Sequence, residues 1–172
     1  KGMSFYSPST GYVGFRDWVG FTIDSGRTYT RKPISMTNVD YNGYGVNLTF
    51  GFGINGVKAF SQDFLLVYGD YGLVPAILLS TNGGNSFKLI YHSQFDPMTI
   101  PTGIMDMDFP QNGTTGYAVD ADRILKTTDK GLTWVVSLTV PGSYFDGIQG
   151  VDNNNVFAFG TRFSSSKLLK TI

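Results

Sequence analysis

The sequence predicts an all-β protein, a β-propeller of four-stranded antiparallel blades, and three observations predict it. An eight-residue turn pattern recurs at intervals of blade length. Each copy closes a short apolar run that is itself preceded by two more, so each repeat reads strand, turn, strand, loop, strand, box turn, strand. The chain holds 22 glycines, ten tyrosines and fourteen phenylalanines, a profile of strands joined by turns that need positive φ.

The turn pattern stands at Thr22-Ile23-Asp24-Ser25-Gly26-Arg27-Thr28-Tyr29, Ser80-Thr81-Asn82-Gly83-Gly84-Asn85-Ser86-Phe87 and Thr127-Thr128-Asp129-Lys130-Gly131-Leu132-Thr133-Trp134. It reads Ser/Thr, any, Asp/Asn, any, Gly, any, Ser/Thr, aromatic. A short Asp or Asn side chain bonds backbone N–H groups ahead of it and Gly supplies a positive φ two residues on, so each copy is expected to be a hairpin turn. The closing Tyr29, Phe87 or Trp134 then packs the turn against its blade. A fourth copy begins at Thr171, where Leu168-Leu169-Lys170-Thr171-Ile172 matches Ile124-Leu125-Lys126-Thr127-Thr128. Box starts at 22, 80, 127 and 171 are separated by 58, 47 and 44 residues, one blade to each box.

Ahead of each box two strands repeat. First strands are expected at 2–5, 57–60, 104–109 and 148–151, and second strands at 11–15, 64–69, 116–119 and 156–160, after polar turns such as Ser7-Pro8-Ser9-Thr10 and Asp152-Asn153-Asn154-Asn155. Val46, Leu48, Phe50 and Phe52 alternate with Asn47, Thr49 and Gly51 in the segment that lengthens the first interval, which reads as a half-buried strand or hairpin insertion. The single partial propeller domain thus divides into blade 1 at about 1–34, an insertion at about 35–56, blade 2 at about 57–93, blade 3 at about 102–139 and the start of blade 4 at about 144–172. Capped stretches with a helical apolar period are not found, so almost no helix is expected. About three and a half blades cannot close a ring of about 4–8 blades, and the remainder of a larger chain or complex is expected to complete it.

The three boxes make the chain resemble the Asp-box, or bacterial neuraminidase repeat, superfamily of β-propellers over essentially all 172 residues. It is similar in this to sortilin-type, sialidase-like, xyloglucan-cleaving and photosystem II assembly factor-like propellers. The resemblance implies the fold and leaves function to be argued from sites. It also implies a box at the blade's periphery, so Asp24, Asn82 and Asp129 are read as structural.

Catalytic constellations are sparse. The Phe/Tyr-Arg-Ile-Pro motif of sialidases, whose arginine joins a carboxylate clamp, is approached only by Thr30-Arg31-Lys32-Pro33 and fails at two positions. The other arginines are Arg16, Arg27, Arg123 and Arg162, too few and too dispersed for a three-arginine clamp within this stretch. A glycosidase needs two carboxylates about 5–10 Å apart across a cleft. Asp106 and Asp108, two residues apart on one face of an innermost strand, are the speculative channel-facing pair, set against a plain solvated strand face. Asp120 with Asp122, and Asp152 with Asn153–Asn155, offer oxygen ligands without the count or spaced Gly of a calcium loop. His92 has no nucleophile or acid partner suggested by spacing and reads as a turn histidine. Asn47-Leu48-Thr49 and Asn112-Gly113-Thr114 match the glycosylation pattern as polar turns do by chance. No catalytic residue, cofactor or metal site is assigned, and the aromatic residues are read as core between blades before a glycan- or protein-binding surface.

Thirteen basic residues balance thirteen acidic ones, which disfavours nucleic acid and anionic membranes as partners. No apolar run approaches the ~20 residues of a membrane helix. Cysteine is absent, so disulfides and thiolate metal sites are excluded. Lys1-Gly2-Met3 lacks signal-peptide features, so a targeting segment is expected to be absent or removed. These readings lead to an expected non-catalytic binding or scaffold module, extracellular, at the cell surface or periplasmic, whose partner is another protein or a glycan. The alternative is part of a carbohydrate-active enzyme whose catalytic residues lie outside this stretch.

Overall fold

The structure, a computed structural model, describes residues 2–48, 51–93, 103–110, 113–162 and 165–171. Among these residues there is no helix, and seventeen strands fall into four sheets, mainly antiparallel, that form the blades of a propeller. Blade 1 consists of β1 (Met3–Phe5), β2 (Gly11–Gly14), β3 (Trp18–Thr22) and β4 (Thr30–Pro33), hydrogen-bonded in chain order. The inserted segment supplies β5 (Val39–Tyr41) and β6 (Tyr44–Val46). Blade 2 follows with β7 (Phe52–Ala59), β8 (Leu65–Tyr71), β9 (Val74–Ser80) and β10 (Lys88–His92). Blade 3 has β11 (Asp106–Asp108), β12 (Gly116–Val119), β13 (Arg123–Thr127) and β14 (Val135–Thr139), and blade 4 has β15 (Ser143–Gly150), β16 (Val156–Arg162) and β17 (Ser165–Thr171).

One register runs through all four sheets. The opening residue of the second strand pairs with the first box residue in each: Gly11 with Thr22, Leu65 with Ser80, Gly116 with Thr127 and Val156 with Thr171. Four residues before that position a short polar side chain fastens the first turn. Ser7 Oγ accepts from Thr10 N at 3.0 Å, Ser61 Oγ from Phe64 N at 3.1 Å and Asp152 Oδ1 from Asn155 N at 2.8 Å. These are local side-chain turns that satisfy a donor the ladder leaves free.

The core lies between the blades. Tyr12 and Val19 of blade 1 pack with Val57, Leu65, Val67 and Leu78 of blade 2. Leu66 and Ile77 of blade 2 pack with Ala118, Leu125 and Trp134 of blade 3, and Val119 and Ile124 of blade 3 with Ile148 and Ala158 of blade 4. Period-2 alternation sends successive apolar side chains to opposite faces, so β8 feeds two cores at once, Val67 into one and Leu66 into the other. Phe87 and Trp134 are buried in the core shared with the preceding blade, whereas Tyr29 remains 42% exposed.

Polar contacts repeat across the same boundaries. Tyr12 Oη donates to Gln62 O at 2.6 Å and Tyr117 Oη to Asn153 O at 2.8 Å, from one repeat position to the first turn of the next blade. Ile54 N donates to Arg16 O at 3.3 Å and Phe145 N to Ala121 O at 2.8 Å, again at matching positions.

The insertion is a hairpin. Its turn, Asn42-Gly43, holds two consecutive positive φ values of 53° and 85°, the conformation that suits a tight two-residue connection, and Asp40 Oδ1 accepts from Gly43 N at 2.9 Å. The alternation read from the sequence lies beyond that turn and does not form one strand: Val46 ends β6, Leu48 is buried in the loop, and Phe52 opens β7, within the span the sequence assigned to the insertion. Thr49 and Phe50 lie outside the described residues. The hairpin extends blade 2 at its outer edge, β5 running parallel to β10 with Asp40 opposite Lys88.

The inter-blade tyrosines give a direct test. Tyr117→Phe keeps the ring and removes one hydrogen bond, so it should lower stability by about 1 kcal/mol, read as a reduced urea midpoint. Tyr12→Phe should do the same, while Tyr44→Phe, at a 76% exposed position, should leave the midpoint unchanged.

Candidate functional site

The box residues form the same closed circuit in each complete copy. In blade 1 Thr22 Oγ1 donates to Asp24 Oδ1 at 2.8 Å and accepts from Gly26 N at 3.0 Å, while Asp24 accepts from Thr28 N at 2.9 Å and Thr28 Oγ1 at 2.6 Å. Blade 3 repeats it with Thr127, Asp129, Gly131 and Thr133 at 2.7, 3.0, 2.9 and 2.5 Å. In blade 2 Asn82 takes the acid's place: Oδ1 lies 3.0 Å from Ser80 Oγ and accepts from Ser86 N at 2.9 Å, but Nδ2 now donates to Ser86 Oγ at 2.8 Å. Gly84 N completes the circuit on Ser80 Oγ at 2.9 Å.

The circuit fixes two residues in the left-handed region, Ser25 and Gly26, Gly83 and Gly84, Lys130 and Gly131. The first of each pair donates its N–H to the turn before the second strand, Ser25 to Ser9, Gly83 to Asp63 and Lys130 to Thr114. Trp134 Nε1 also donates to Gly131 O at 3.0 Å. The Thr28 hydroxyl, then its N–H and Thr22, hold the Asp24 carboxyl down at about 2. Burial works to raise Asp129, but Thr133 and Thr127 outweigh it and the net direction is down. These aspartates are occupied by their own turns.

Asp106 and Asp108 share one face of β11, as their spacing predicts, and the structure gives both carboxylates backbone partners. Asp106 Oδ1 accepts from Met107 N at 2.9 Å and Oδ2 from Ile148 N at 2.9 Å; Asp108 Oδ1 accepts from Phe109 N at 2.8 Å and Oδ2 from Gly150 N at 2.7 Å. Burial, with the Asp106 carboxylate beside it, pushes the phenol of Tyr68 in blade 2 well up. Asp106 therefore ties blade 3 to blade 4, with Tyr68 of blade 2 beside it. Ser4 occupies in blade 1 the repeat position of Asp108 and does the same, accepting from Ala59 N at 3.0 Å. Period-2 spacing gave the shared face; Tyr68 and the N–H groups some 42 residues downstream carried no local signal.

The remaining candidates disperse. Asp120 is fully buried in a two-pronged ion pair with Arg123, Oδ1 to Nε at 3.1 Å and Oδ2 to Nη2 at 2.6 Å. Burial raises its carboxyl against the pull of Arg123 and raises the nearby Tyr91 phenol to about 12. At the same two repeat positions blade 1 carries Phe15 and Trp18, stacked at 3.8 Å, with Arg31 5.2 Å above Trp18. Arg31 and Arg123 thus have different partners on different blades. Asp152 is spent on Asn154 and Asn155 of its own turn, and no group of three metal-binding side chains occurs among the described residues. His92 Nδ1 lies 3.0 Å from Ser93 O and its ring 4.9 Å from Tyr41. Asn47 Oδ1 accepts from Asn38 N at 2.9 Å, while Asn112 lies outside the described residues.

No protein-family model matches the chain, and no curated protein matches it. Solved structures do. The GH74 enzyme of Niastella koreensis aligns at a TM-score of 0.60 and 14% identity over 98% of this chain and 29% of its own. The GH74 xyloglucanase of Xanthomonas campestris gives 0.63 and 12% over 98% of this chain and 28% of its own. YCF48 from Cyanidioschyzon merolae gives 0.58 and 16% over 99% of this chain and 50% of its own.

The chain has the β-propeller fold. At these identities the likeness establishes architecture, and the chain spans between about a quarter and a half of the propeller proteins it matches.

Two outcomes check the electrostatics. Asp24, Asp129 and Asp152 have folded pKa values below their unfolded ones, so their contribution is complete above the ordinary carboxylate range and lost as pH falls through the lowered values. The melting temperature should therefore drop between pH 3.8 and about 2, and more shallowly in an Asp24→Asn, Asp129→Asn double variant, since Asn82 shows that a carboxamide closes the circuit. Separately, Asp108→Ala should expose the Gly150 amide, speed its hydrogen exchange and cost about 1–2 kcal/mol.

Proposed function

We propose that this chain is a non-catalytic propeller module that binds or scaffolds another macromolecule, a protein or a glycan, as part of an exported bacterial protein. The observation that carries the reading is the employment of six of its thirteen aspartates. Asp24, Asp129 and Asp152 close turns, Asp106 and Asp108 hold blade 4 to blade 3, and Asp120 is consumed by Arg123. A general acid or a nucleophile has to reach a substrate, and a carboxylate whose oxygens are already filled by backbone N–H groups is poorly suited to either task. The neutral charge balance favours uncharged contact surfaces over polyanions.

A second reading follows from the similar GH74 proteins, which are enzymes, one of them a xyloglucanase. In that reading the chain is a structural portion of a carbohydrate-active protein, and the catalytic acids lie outside these residues.

Incubation of the purified chain with xyloglucan and with an aryl sialoside should release no product above the blank. Hydrolysis abolished by Asp106→Asn or Asp108→Asn, with the variant still folded, would overturn the non-catalytic reading.

A further inference from the structure

The outer strand of each blade leaves a row of backbone groups on its far side, an invitation to further strands that proteins normally block or cover. Blade 1 blocks its edge: β4 carries Arg31, Lys32 and Pro33. Blade 2 covers its edge with β5. In blade 3 the outer strand β14, Val135-Val136-Ser137-Leu138-Thr139, has neither device among the described residues, and its apolar side chains are exposed, Val135 by 63%, Val136 by 48% and Leu138 by 40%.

β14 and β10 are the same edge in residue-for-residue register. Lys88, Leu89, Tyr91 and His92 pair with Leu79, Leu78, Ile77 and Ala76; Val135, Val136, Leu138 and Thr139 pair with Lys126, Leu125, Ile124 and Arg123. Both strands carry the register shift at the same place, between Leu89 and Tyr91 and between Val136 and Leu138. The edge that β5 occupies in blade 2 is thus reproduced in blade 3 without its occupant. The chemistry differs at two points. Lys88 faces Asp40 at 3.5 Å and His92 faces the Tyr41 ring, whereas the corresponding residues of β14 are Val135 and Thr139.

We propose that β14 is a docking edge for an extended, uncharged strand of another protein, which adds parallel to it as β5 adds to β10. The backbone ladder supplies the attachment and the residue facing Val135 supplies the selectivity: a branched apolar side chain there packs against Val135, whereas an acid finds no lysine to pair with as Asp40 finds Lys88. A second copy of this chain is disfavoured as the occupant, because β14 paired with itself about a two-fold axis would run antiparallel. The proposal goes beyond the binding-module reading and holds equally if the complete protein is catalytic.

The test uses isotope-labelled full chain and two synthetic peptides, residues 38–46 of this sequence unaltered and the same peptide with Asp40→Val. The Asp40→Val peptide should shift the amide resonances of residues 135–139 and slow their hydrogen exchange, with several-fold weaker effects from the unaltered peptide. In a Val135→Lys chain, a substitution that recreates the charge of Lys88 at an exposed site, the preference should reverse. Any of four results overturns the proposal: no shift at 135–139, equal shifts from both peptides, a preference unmoved by Val135→Lys, or shifts that follow the concentration of the chain without peptide. The hydrolysis assay is blind to all of these, so the two readings fail separately.

Discussion

A four-stranded sheet with apolar side chains on both faces cannot stand alone in water; it has to be covered on each side. Everything else in this protein is arranged around that requirement. Leu66 and Val67, adjacent in β8, are both fully buried, yet they belong to different cores on opposite faces. Blades 2 and 3 are therefore each covered by two neighbours, and the contacts that set one blade on the next recur at fixed positions of the repeat. Tyr12 and Tyr117 reach the following blade's first turn, and Ser4 and Asp108 accept N–H groups from its innermost strand. Phe87 and Trp134 close the gap behind them.

The polar residues serve the same end. An aspartate in this chain is chiefly an acceptor for backbone N–H groups that a strongly curved, turn-rich architecture would otherwise leave unpaired. Within a box it substitutes for missing ladder bonds around two left-handed residues; at Asp106 and Asp108 it substitutes for a ladder between sheets that do not share one. The carboxylate is chosen for geometry more than for charge, as Asn82 and Ser4 show by filling equivalent positions uncharged. This bears on function, because groups that would look like catalytic acids in a list of residues are parts of the frame. The same substitution logic appears where Asp120 and Arg123 stand in blade 3 for the Phe15 and Trp18 stack of blade 1: an ion pair and an aromatic pair fill one structural slot.

The edges express what the repeat leaves unfinished. Faces are covered blade by blade, but each outer strand meets solvent, and the three complete blades treat it in three ways: charge and proline in β4, an added hairpin on β10, and exposed valine and leucine in β14. The hairpin shows that this framework accepts an extra strand in parallel without disturbing the register of the blade beneath, since β10 and β14 keep the same pairing and the same bulge. Recognition at such an edge draws on backbone groups that every extended peptide possesses, with a few side chains deciding which one is admitted.

The sequence alone determined the class of fold, the number of boxes, their place between third and fourth strands and the residues inside them, because each box is a local circuit closed within eight positions and leaves a local signature. It also placed Asp106 and Asp108 on one face, which follows from the two-residue period of a strand. It marked an insertion between blades 1 and 2 but not its strands: the alternating residues from Val46 to Phe52 run from the end of β6 to the start of β7, and that β5 lies parallel on β10, with Asp40 at Lys88, depends on where blade 2 ends in space. Likewise only the tertiary structure decided that Asp106 holds Ile148 and meets Tyr68, and that Tyr12 and Tyr117 are inter-blade contacts. Those partners lie tens of residues apart and are brought together by the stacking of one blade on the next, a packing outcome that no spacing within a single repeat encodes.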